Sequence, residues 1–544
     1  MLPKAETYDE VVAKFRWNVP ARYNMAHDVC DRHTADGDKL ALIFVGGPNG
    51  EQRYTFRDIQ RRANRMANFL TGIGISKGDR IAILLPQCPE TAFTHVAAYK
   101  MGAIALPLFV LFGEDGLEYR LANSEAAAIV TDTVNLPKIL AIRSRLPALK
   151  HVIVTDGAGG DLELPTELER ASDAFTTLDT EAEDPVILVY TSGTTGPPKG
   201  ALHAHRTMLG HMPGFDFYHE FPPAPGDLGW TPADWAWIGG LMDLLMPCWF
   251  HGVPVLAYRA GKFDPEEAYA LMAKYRVRNT FIPPTALKMM RQVSDAKERY
   301  DPSLRSLFSG GETLGEEVLA WGKETFGITF NEGYGQTEFN ICVGNCAAIM
   351  PVKPGSMGRT VPGHIVEVID DEGNIRPPGE TGNIAFKTPD PVAMKEYWRN
   401  PEATRDKFVG PWMISGDQGM KDEDGYFWFL GRADDVITSS GYRIGPGEIE
   451  DCLMTHPAVG LAAAIGVPDP QRTEIVKAVI VLNQSFEPGA ALEAEIREFV
   501  KTRLAAHEYP REIEFVDEMP LTATGKIRRK DLRDRDIAHR KGAD

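Results

Sequence analysis

The sequence predicts an α/β fold: a large N-terminal domain of parallel-rich sheets packed with helices, plus a smaller α+β C-terminal domain. Three observations predict it. Helix-period and strand-like segments alternate through roughly the first four hundred of the 544 residues, the texture changes near Gly431, and the length exceeds what one hydrophobic core organises.

Taking the elements in order, Thr55 is placed to cap a run that sets Ile59, Ala63, Met66 and Leu70 on one face, the mark of an amphipathic helix. Arg80 to Leu85 reads as a strand, Glu90 to Met101 as a helix and Ile104 to Leu108 as another strand. Val186-Ile187-Leu188-Val189-Tyr190 is an apolar run of the kind found in buried strands. The rhythm returns with Ser306-Leu307-Phe308, a helix near Glu316 to Thr325, and a strand at Ile328-Thr329-Phe330. Parallel sheets gather ligands at the carboxyl ends of their strands. Thr191, Gly310-Gly311-Glu312 and Tyr334-Gly335-Gln336 all fall at such ends.

Beyond the polar run Gly431-Arg432-Ala433-Asp434-Asp435 come Gly441, Gly445, Pro446 and Gly447, then a compact set of elements. These are Glu448 to Leu453, strands around Ala462–Gly466 and Lys477–Val481, and a helix carrying Leu492, Ile496, Phe499, Val500 and Leu504. A boundary at 431–435 divides the chain into residues 1–431 and 436–544, the second part being large enough to fold alone.

The formal charge of −18 disfavours a nucleic-acid partner, which needs a basic surface. It also means that anionic substrates must be drawn in by local cations. The basic tail from Lys526 to Arg540 is diluted by Asp531, Asp534 and Asp536 and reads as a solvated face. Six scattered cysteines read as reduced, partly buried thiols, with no metal-ligand pattern around Cys342 and Cys346. The start of the chain mixes charges of both signs, unlike a signal peptide, and the most apolar stretch, Ile238 to Tyr258, is broken by Asp243, Pro247, His251 and Pro254. The expectation is a cytoplasmic protein without a membrane span. His203, His205, His211 and His219 follow one another in a helix-like segment without ligand spacing and read as packing or surface residues.

The most informative stretch is Tyr190-Thr191-Ser192-Gly193-Thr194-Thr195-Gly196-Pro197-Pro198-Lys199-Gly200. Glycines let backbone N–H groups approach an anion, while hydroxyls and an ammonium add donors, so a phosphate loop is the natural reading. The nucleotide-triphosphatase pattern requires Gly-Lys-Ser/Thr, whereas here Pro198 precedes Lys199 and Gly200 follows it.

The segment instead resembles the signature of the adenylate-forming (AMP-binding) superfamily, which includes acyl-CoA synthetases, luciferases and peptide-synthetase adenylation domains. Gly310-Gly311-Glu312-Thr313, Tyr334-Gly335-Gln336-Thr337-Glu338, Ser415-Gly416-Asp417, Gly431-Arg432-Ala433-Asp434-Asp435, Ser440-Gly441-Tyr442-Arg443-Ile444 and Thr524-Gly525-Lys526 carry the likeness further, in family order. The resemblance implies an ATP-dependent acyl-CoA ligase with ATP, Mg2+ and coenzyme A as reactants. A carboxylate attacks the α-phosphorus of ATP, giving acyl-adenylate and pyrophosphate, and the thiol of CoA then displaces AMP. Because an anion attacks a polyanion, charge must be neutralised at the reacting oxygens.

The resemblance assigns that task to Lys526, where one ammonium at 4 Å is worth roughly 4 kcal/mol at an effective dielectric near 20. It implies that Glu338 holds Mg2+ with help from Thr191, as a hard oxygen ligand should. Asp417 would accept both ribose hydroxyls. Thr191, Ser192, Gly193, Thr194, Thr195 and Lys199 would surround the phosphates, with Arg432 and Arg443 facing them. Gly311, Glu312, Thr313, Glu332, Gly333, Tyr334, Gln336 and Thr337 would make up the rest of the ATP/AMP site, Tyr334 flanking the base. Asp434 matches the hinge, within 432–435, about which the C-terminal domain (436–544) rotates between half-reactions, bringing up Gly441 and Tyr442 for CoA.

For the acid, acetate-restricted members resemble one another in a tryptophan at the position of Gly335. Together with Gly239 and Gly310, this glycine implies room beyond an acetyl group, walled by Trp237 and Ile238. The wording of these motifs looks most like medium-chain acyl-CoA synthetases, so a medium-chain, branched or cyclic/aromatic carboxylate is expected. The alternatives are an adenylation enzyme delivering an acyl or aminoacyl group to a carrier protein, a luciferase-type oxygenase, and a silent binding scaffold. The first lacks a Gly-Gly-Xaa-Ser carrier site after Lys526, nothing positive supports the second, and the retained Lys526, Asp417 and Glu338 argue against the third. Lys526 on a C-terminal loop also suggests a lysine-modifying enzyme as a partner, since acylation would remove the charge used in adenylation.

Overall fold

The computed structural model describes residues 1–47, 50–191, 198–258, 261–311, 314–432, 435–439, 442–469, 472–504, 508–522 and 526–542. The chain forms two compact units. One holds Met1–Gly193, Pro197–Ile365 and Lys387–Asp406, the other Val366–Phe386 and Lys407–Asp544.

The first unit is built on two large sheets. Among the described residues, eight strands form one of them. Pro185–Tyr190, Ile104–Pro107, Arg80–Leu84, Ala128–Thr131, His151–Val154 and Leu162–Glu163 run parallel, and Gly200–Ala204 and Glu396–Tyr397 add an antiparallel edge. A nine-stranded sheet has the same logic, with a parallel centre that includes Ser306–Gly310 and Asn331–Gln336 and antiparallel edges such as Asn340–Gly344. Strands buried on both faces explain the unbroken apolar runs of the sequence. The helix predicted after Thr55 spans Phe56–Gly72; Thr55 and Asp58 form a reciprocal capping box, and Ile59, Ala63, Met66 and Leu70 are fully buried. Pro89–Lys100 is buried on every side, so its sequence shows no polar face.

One expected strand is displaced. Ile328–Phe330 is not extended pairing structure; the strand begins at Asn331, opposite Phe308. Helix Glu316–Phe326 ends on Gly327 at φ +73°, and Phe330 then drops fully buried against Gly322, where a Cβ would stand 2.5 Å from its ring. Packing claimed these apolar residues before the ladder started.

The second unit contains a sheet of Val366–Ile369, Thr381–Lys387, Trp412–Lys421, Phe408–Val409 and Phe427–Arg432. A further sheet joins Tyr442–Ile444, Ile437–Ser439, Thr473–Leu482, Val459–Asp469 and Glu512–Phe515. Helices Pro446–Met454 and Ala490–Lys501 close its core of Ile449, Leu453, Ala464, Ile480, Ile496 and Val500, as an α+β arrangement requires. Leu504 lies beyond that helix and still packs on the core. Residues 366–386 and 407–432 therefore group with the C-terminal part of the chain, and the expected hinge segment lies inside this unit.

Candidate functional site

Tyr190 pairs with Gly200 across an antiparallel hairpin, so the Thr191–Lys199 segment closes on itself. The Thr191 N–H donates to the Lys199 carbonyl at 2.9 Å and its hydroxyl to the same oxygen at 3.3 Å. In the triphosphatase arrangement a phosphate loop feeds a helix, whose N-terminus supplies positive potential. Here the loop feeds a strand, so the charge must come from side chains. Lys199 is exposed, with its ammonium 5.3 Å from the centre of the Tyr397 ring.

Tyr397 ties that lysine to Glu338. Its hydroxyl donates to Glu338 Oε1, and the Met394 N–H donates to the Glu338 carbonyl at 2.7 Å, which fixes both ends of the residue. Glu338 is only 7% exposed, on the turn after strand Asn331–Gln336. Tyr397 itself is set by pairing with Ala201 and by donation from its N–H to Thr404 Oγ1 at 2.9 Å. One hydrogen bond thus joins the edge strand of one sheet to the turn of the other. Sequence reasoning missed Tyr397; the only signal was an aromatic pair, Tyr397-Trp398, in a polar segment.

No cluster of three or more histidine, cysteine, aspartate or glutamate side chains converges as a metal cage among the described residues. A single buried carboxylate with a nearby hydroxyl-bearing loop fits an ion that keeps few protein ligands and takes its other oxygens from water and phosphate, which is the habit of Mg2+.

The purine-side candidates come together. Ser306–Gly310 and Asn331–Gln336 run parallel with Gly310 opposite Gly333, and Gly311 follows at φ +98°. Glu332 is buried and accepts from the Leu314 N–H at 3.2 Å. Tyr334, Gln336 and Thr337 are half-buried along the outgoing end of the strand.

The three glycines expected to leave space for the acid are filled by their neighbours. A Cβ on Gly335 would stand 1.8 Å from the Asn340 carbonyl oxygen, one on Gly310 2.7 Å from the Gly333 oxygen, and one on Gly239 2.7 Å from the Phe281 ring. They permit close approach of chain to chain. Apolar surface nearby comes from half-exposed Trp237 and Ile238, with the Trp237 ring 5.3 Å from Phe109 and 5.9 Å from Phe112. Ile238 and Gly239 open a helical segment that continues through a π-helical turn at Leu241–Leu245. Asp234, just upstream, has its carboxyl pushed up to about 6 by burial, against the pull of the Ala236 N–H at 2.7 Å.

In the second unit, Asp417 and Arg432 are cross-strand partners, with Arg432 Nε 3.7 Å from Asp417 Oδ1. Asp417 is 5% exposed, and its N–H donates to Ser415 Oγ at 3.0 Å around Gly416 at φ +81°. Lys526 is exposed, its N–H donating to Thr522 Oγ1 at 3.0 Å and its carbonyl accepting from the Thr522 N–H at 2.7 Å. Asp435 ends the segment 432–435 expected as the hinge, and its ion pairs were not anticipated. It is 9% exposed and pairs with Arg533 at 2.6 Å and Arg529 at 3.6 Å, both on helix Arg529–Gly542. Ser192, Gly193, Thr194, Thr195, Glu312, Thr313, Asp434 and Gly441 lie outside the described residues, and Tyr442 and Arg443 are described only as backbone of strand Tyr442–Ile444.

The histidines serve packing. His203, His205, His211 and His219 are all buried, but they do not share one helix, since His203 lies on strand Gly200–Ala204. His219 Nδ1 meets Ser306 Oγ at 2.8 Å and His211 Nδ1 meets the Met242 carbonyl at 3.2 Å. All six cysteines are buried and unbonded. No helix among the described residues is long and apolar enough to cross a membrane.

Comparison with known proteins identifies the family. The AMP-binding enzyme family profile matches residues 31–398, and that of the AMP-binding enzyme C-terminal domain matches 448–526. The chain is 40% identical to the acetyl-coenzyme A synthetase of Bacillus subtilis, over 97% of this chain and 95% of that protein. It is 35% identical to the mitochondrial acyl-coenzyme A synthetase ACSM3 of Rattus norvegicus, over 97% and 93%. Among solved structures, the anthranilate CoA ligase AuaEII in complex with anthranoyl-AMP superimposes with a TM-score of 0.87 at 30% identity, covering 96% of this chain and 99% of the other.

Proposed function

The chain belongs to the AMP-binding enzymes and is an AMP-forming acid–thiol ligase, and from that premise we propose that it joins CoA to a carboxylic acid larger than acetate, of medium-chain, branched or aromatic type. The observation that carries the phosphate half of the reading is the Lys199–Tyr397–Glu338 connection, which sets a cation and a buried carboxylate at the loop where a triphosphate would bind. The size of the acid rests on the half-exposed Trp237 and Ile238 with Phe109 and Phe112 beside them.

Residue roles are those the family resemblance implies, and charge and donor chemistry support them. Lys199 and Thr191 hold phosphate oxygens. Glu338 and Thr191 would hold Mg2+, which when bound screens phosphate charge and polarises the P–O bonds. Tyr334 flanks the base and Asp417, an acceptor-only carboxylate, takes the ribose hydroxyls. Lys526 neutralises the carboxylate and α-phosphate oxygens as they meet. Rotation about Asp434 replaces Lys526 with the Gly441-Tyr442 face for attack by the thiol. Acylation of Lys526 would switch off the first half-reaction.

The test is AMP and pyrophosphate release with ATP, Mg2+ and CoA over acids from acetate to octanoate, with isobutyrate, cyclohexanecarboxylate and benzoate. Activity peaking beyond acetate and dependent on CoA supports the reading. A peak at acetate overturns the acid assignment, and AMP release indifferent to CoA overturns the acceptor.

A further inference from the structure

Arg120, on helix Glu114–Ser124, is buried to 5% exposure, yet no carboxylate pairs with it among the described residues. Its Nη1 donates to the Gly116 carbonyl at 2.8 Å, and Nε is buried without a partner. Two aromatic faces take the rest of the charge: the guanidinium carbon is 4.0 Å from the Phe112 ring centre and 5.9 Å from that of Tyr190. Burial accordingly holds its pKa below the ordinary arginine value. A buried cation without an anion is costly, and ring faces compensate only part of that cost.

Its location suggests what completes it. Tyr190 is the residue before Thr191, so the guanidinium lies beside the residue that opens the loop. The same helix grips both flanks of that loop. Asn123 Oδ1 accepts from the Tyr190 hydroxyl at 2.6 Å, and the Tyr119 hydroxyl donates to the Pro198 carbonyl at 3.0 Å. Since the loop leads into strand Gly200–Ala204, it is not followed by a helix whose N-terminus would lend it positive potential. A fixed charge beside it would do so, and a low-dielectric wall keeps that charge from being screened.

We propose that Arg120 is a positioning residue for polyphosphate: its uncompensated guanidinium, packed on the residue that opens the loop, finds its counter-charge in the triphosphate of ATP or in pyrophosphate. The inference rests on the reading of Thr191–Lys199 as the phosphate loop. A screened attraction of about 1.4 kcal/mol between a unit charge and a polyanion corresponds to roughly a tenfold change in affinity.

The experiment is calorimetric binding of ATP, pyrophosphate and AMP, without acid or CoA, to the unsubstituted enzyme and to Arg120→Met, Arg120→Lys and Lys199→Met, with thermal midpoints recorded for each. Arg120→Gln replaces the methionine variant where that does not give folded protein. The expected result is a loss of about tenfold for ATP and pyrophosphate and under threefold for AMP in Arg120→Met, with most of the loss restored in Arg120→Lys. Unaltered pyrophosphate affinity, an equal loss for all three ligands, or no recovery in folded Arg120→Lys overturns the proposal. Lys199→Met separates the two levels. If it too leaves pyrophosphate binding unaltered, the loop reading falls; if it weakens binding while Arg120→Met does not, only the role of Arg120 falls.

Discussion

Adding one carbon at Gly335 should destabilise the enzyme, and adding an indole should not convert it into an acetate-specific ligase. The Cβ of Gly335→Ala would lie 1.8 Å from the Asn340 carbonyl oxygen, 2.3 Å from its carbonyl carbon and 2.7 Å from the Ile341 nitrogen. All three are main-chain atoms of the paired strand, so no side-chain rotation relieves the overlap. Restoring ordinary contact requires a shift of well over an ångström in a hairpin whose turn residue, Asn340, is already at φ +51°. Overpacking of this severity costs about 3 kcal/mol or more, at the upper end of what small-to-large changes cost in cores. The same shift would disturb Glu338, two residues before Asn340. Urea unfolding of Gly335→Ala should therefore show a clearly lowered midpoint, and Gly335→Trp should lose turnover of acetate and of longer acids alike. An alanine variant as stable as the parent would refute the packing argument. So would a tryptophan variant that keeps acetate turnover while losing longer acids, because the side chain would then enter the acid site.

Three further predictions concern charge. Tyr397→Phe removes a donor from the buried Glu338 carboxylate and should cost about 2 kcal/mol of unfolding free energy; saturating Mg2+ and ATP should narrow the gap, as read from urea midpoints with and without ligand. Lys526→Ala should lower ATP–pyrophosphate exchange a few-hundred-fold, roughly 3–4 kcal/mol in barrier, while supplied acyl-adenylate plus CoA reacts within about threefold of the parent rate. The Asp234 carboxyl is raised by burial from 3.8 to about 6, so the folded state holds the proton more tightly than the unfolded one and stability falls as pH rises through that window. Asp234→Asn should abolish the fall and gain up to about 3 kcal/mol at neutral pH, measured as the pH dependence of the difference in midpoint.

Much of the fold was legible because its signals are local. The run Val186–Tyr190, the capped helix after Thr55 and the spacing of Ile496 and Val500 each follow from residues within one or two turns. Ile328–Phe330 misled because an apolar triplet leaving a helix looks the same whether it enters a ladder or plugs a core. The loop at Thr191 and the turn at Glu338 were visible as motifs, yet their connection through Tyr397 was not, since Glu338 and Tyr397 are 59 positions apart and meet only through strand pairing. Nor can one chain show that residues 366–386 and 407–432 gather with the C-terminal part, as that depends on long-range partners. The glycines carried an ambiguous message: a missing side chain marks either empty space or another backbone passing close, and composition does not distinguish them.

The pairing of Asp435 with Arg529 and Arg533 has a mechanical side. These arginines join residue 435 to the final helix, Arg533 across 98 positions of chain, so a long stretch is clasped near its two ends. Clasped in this way, the start of the stretch cannot fray without pulling two ion pairs off the helix that closes it.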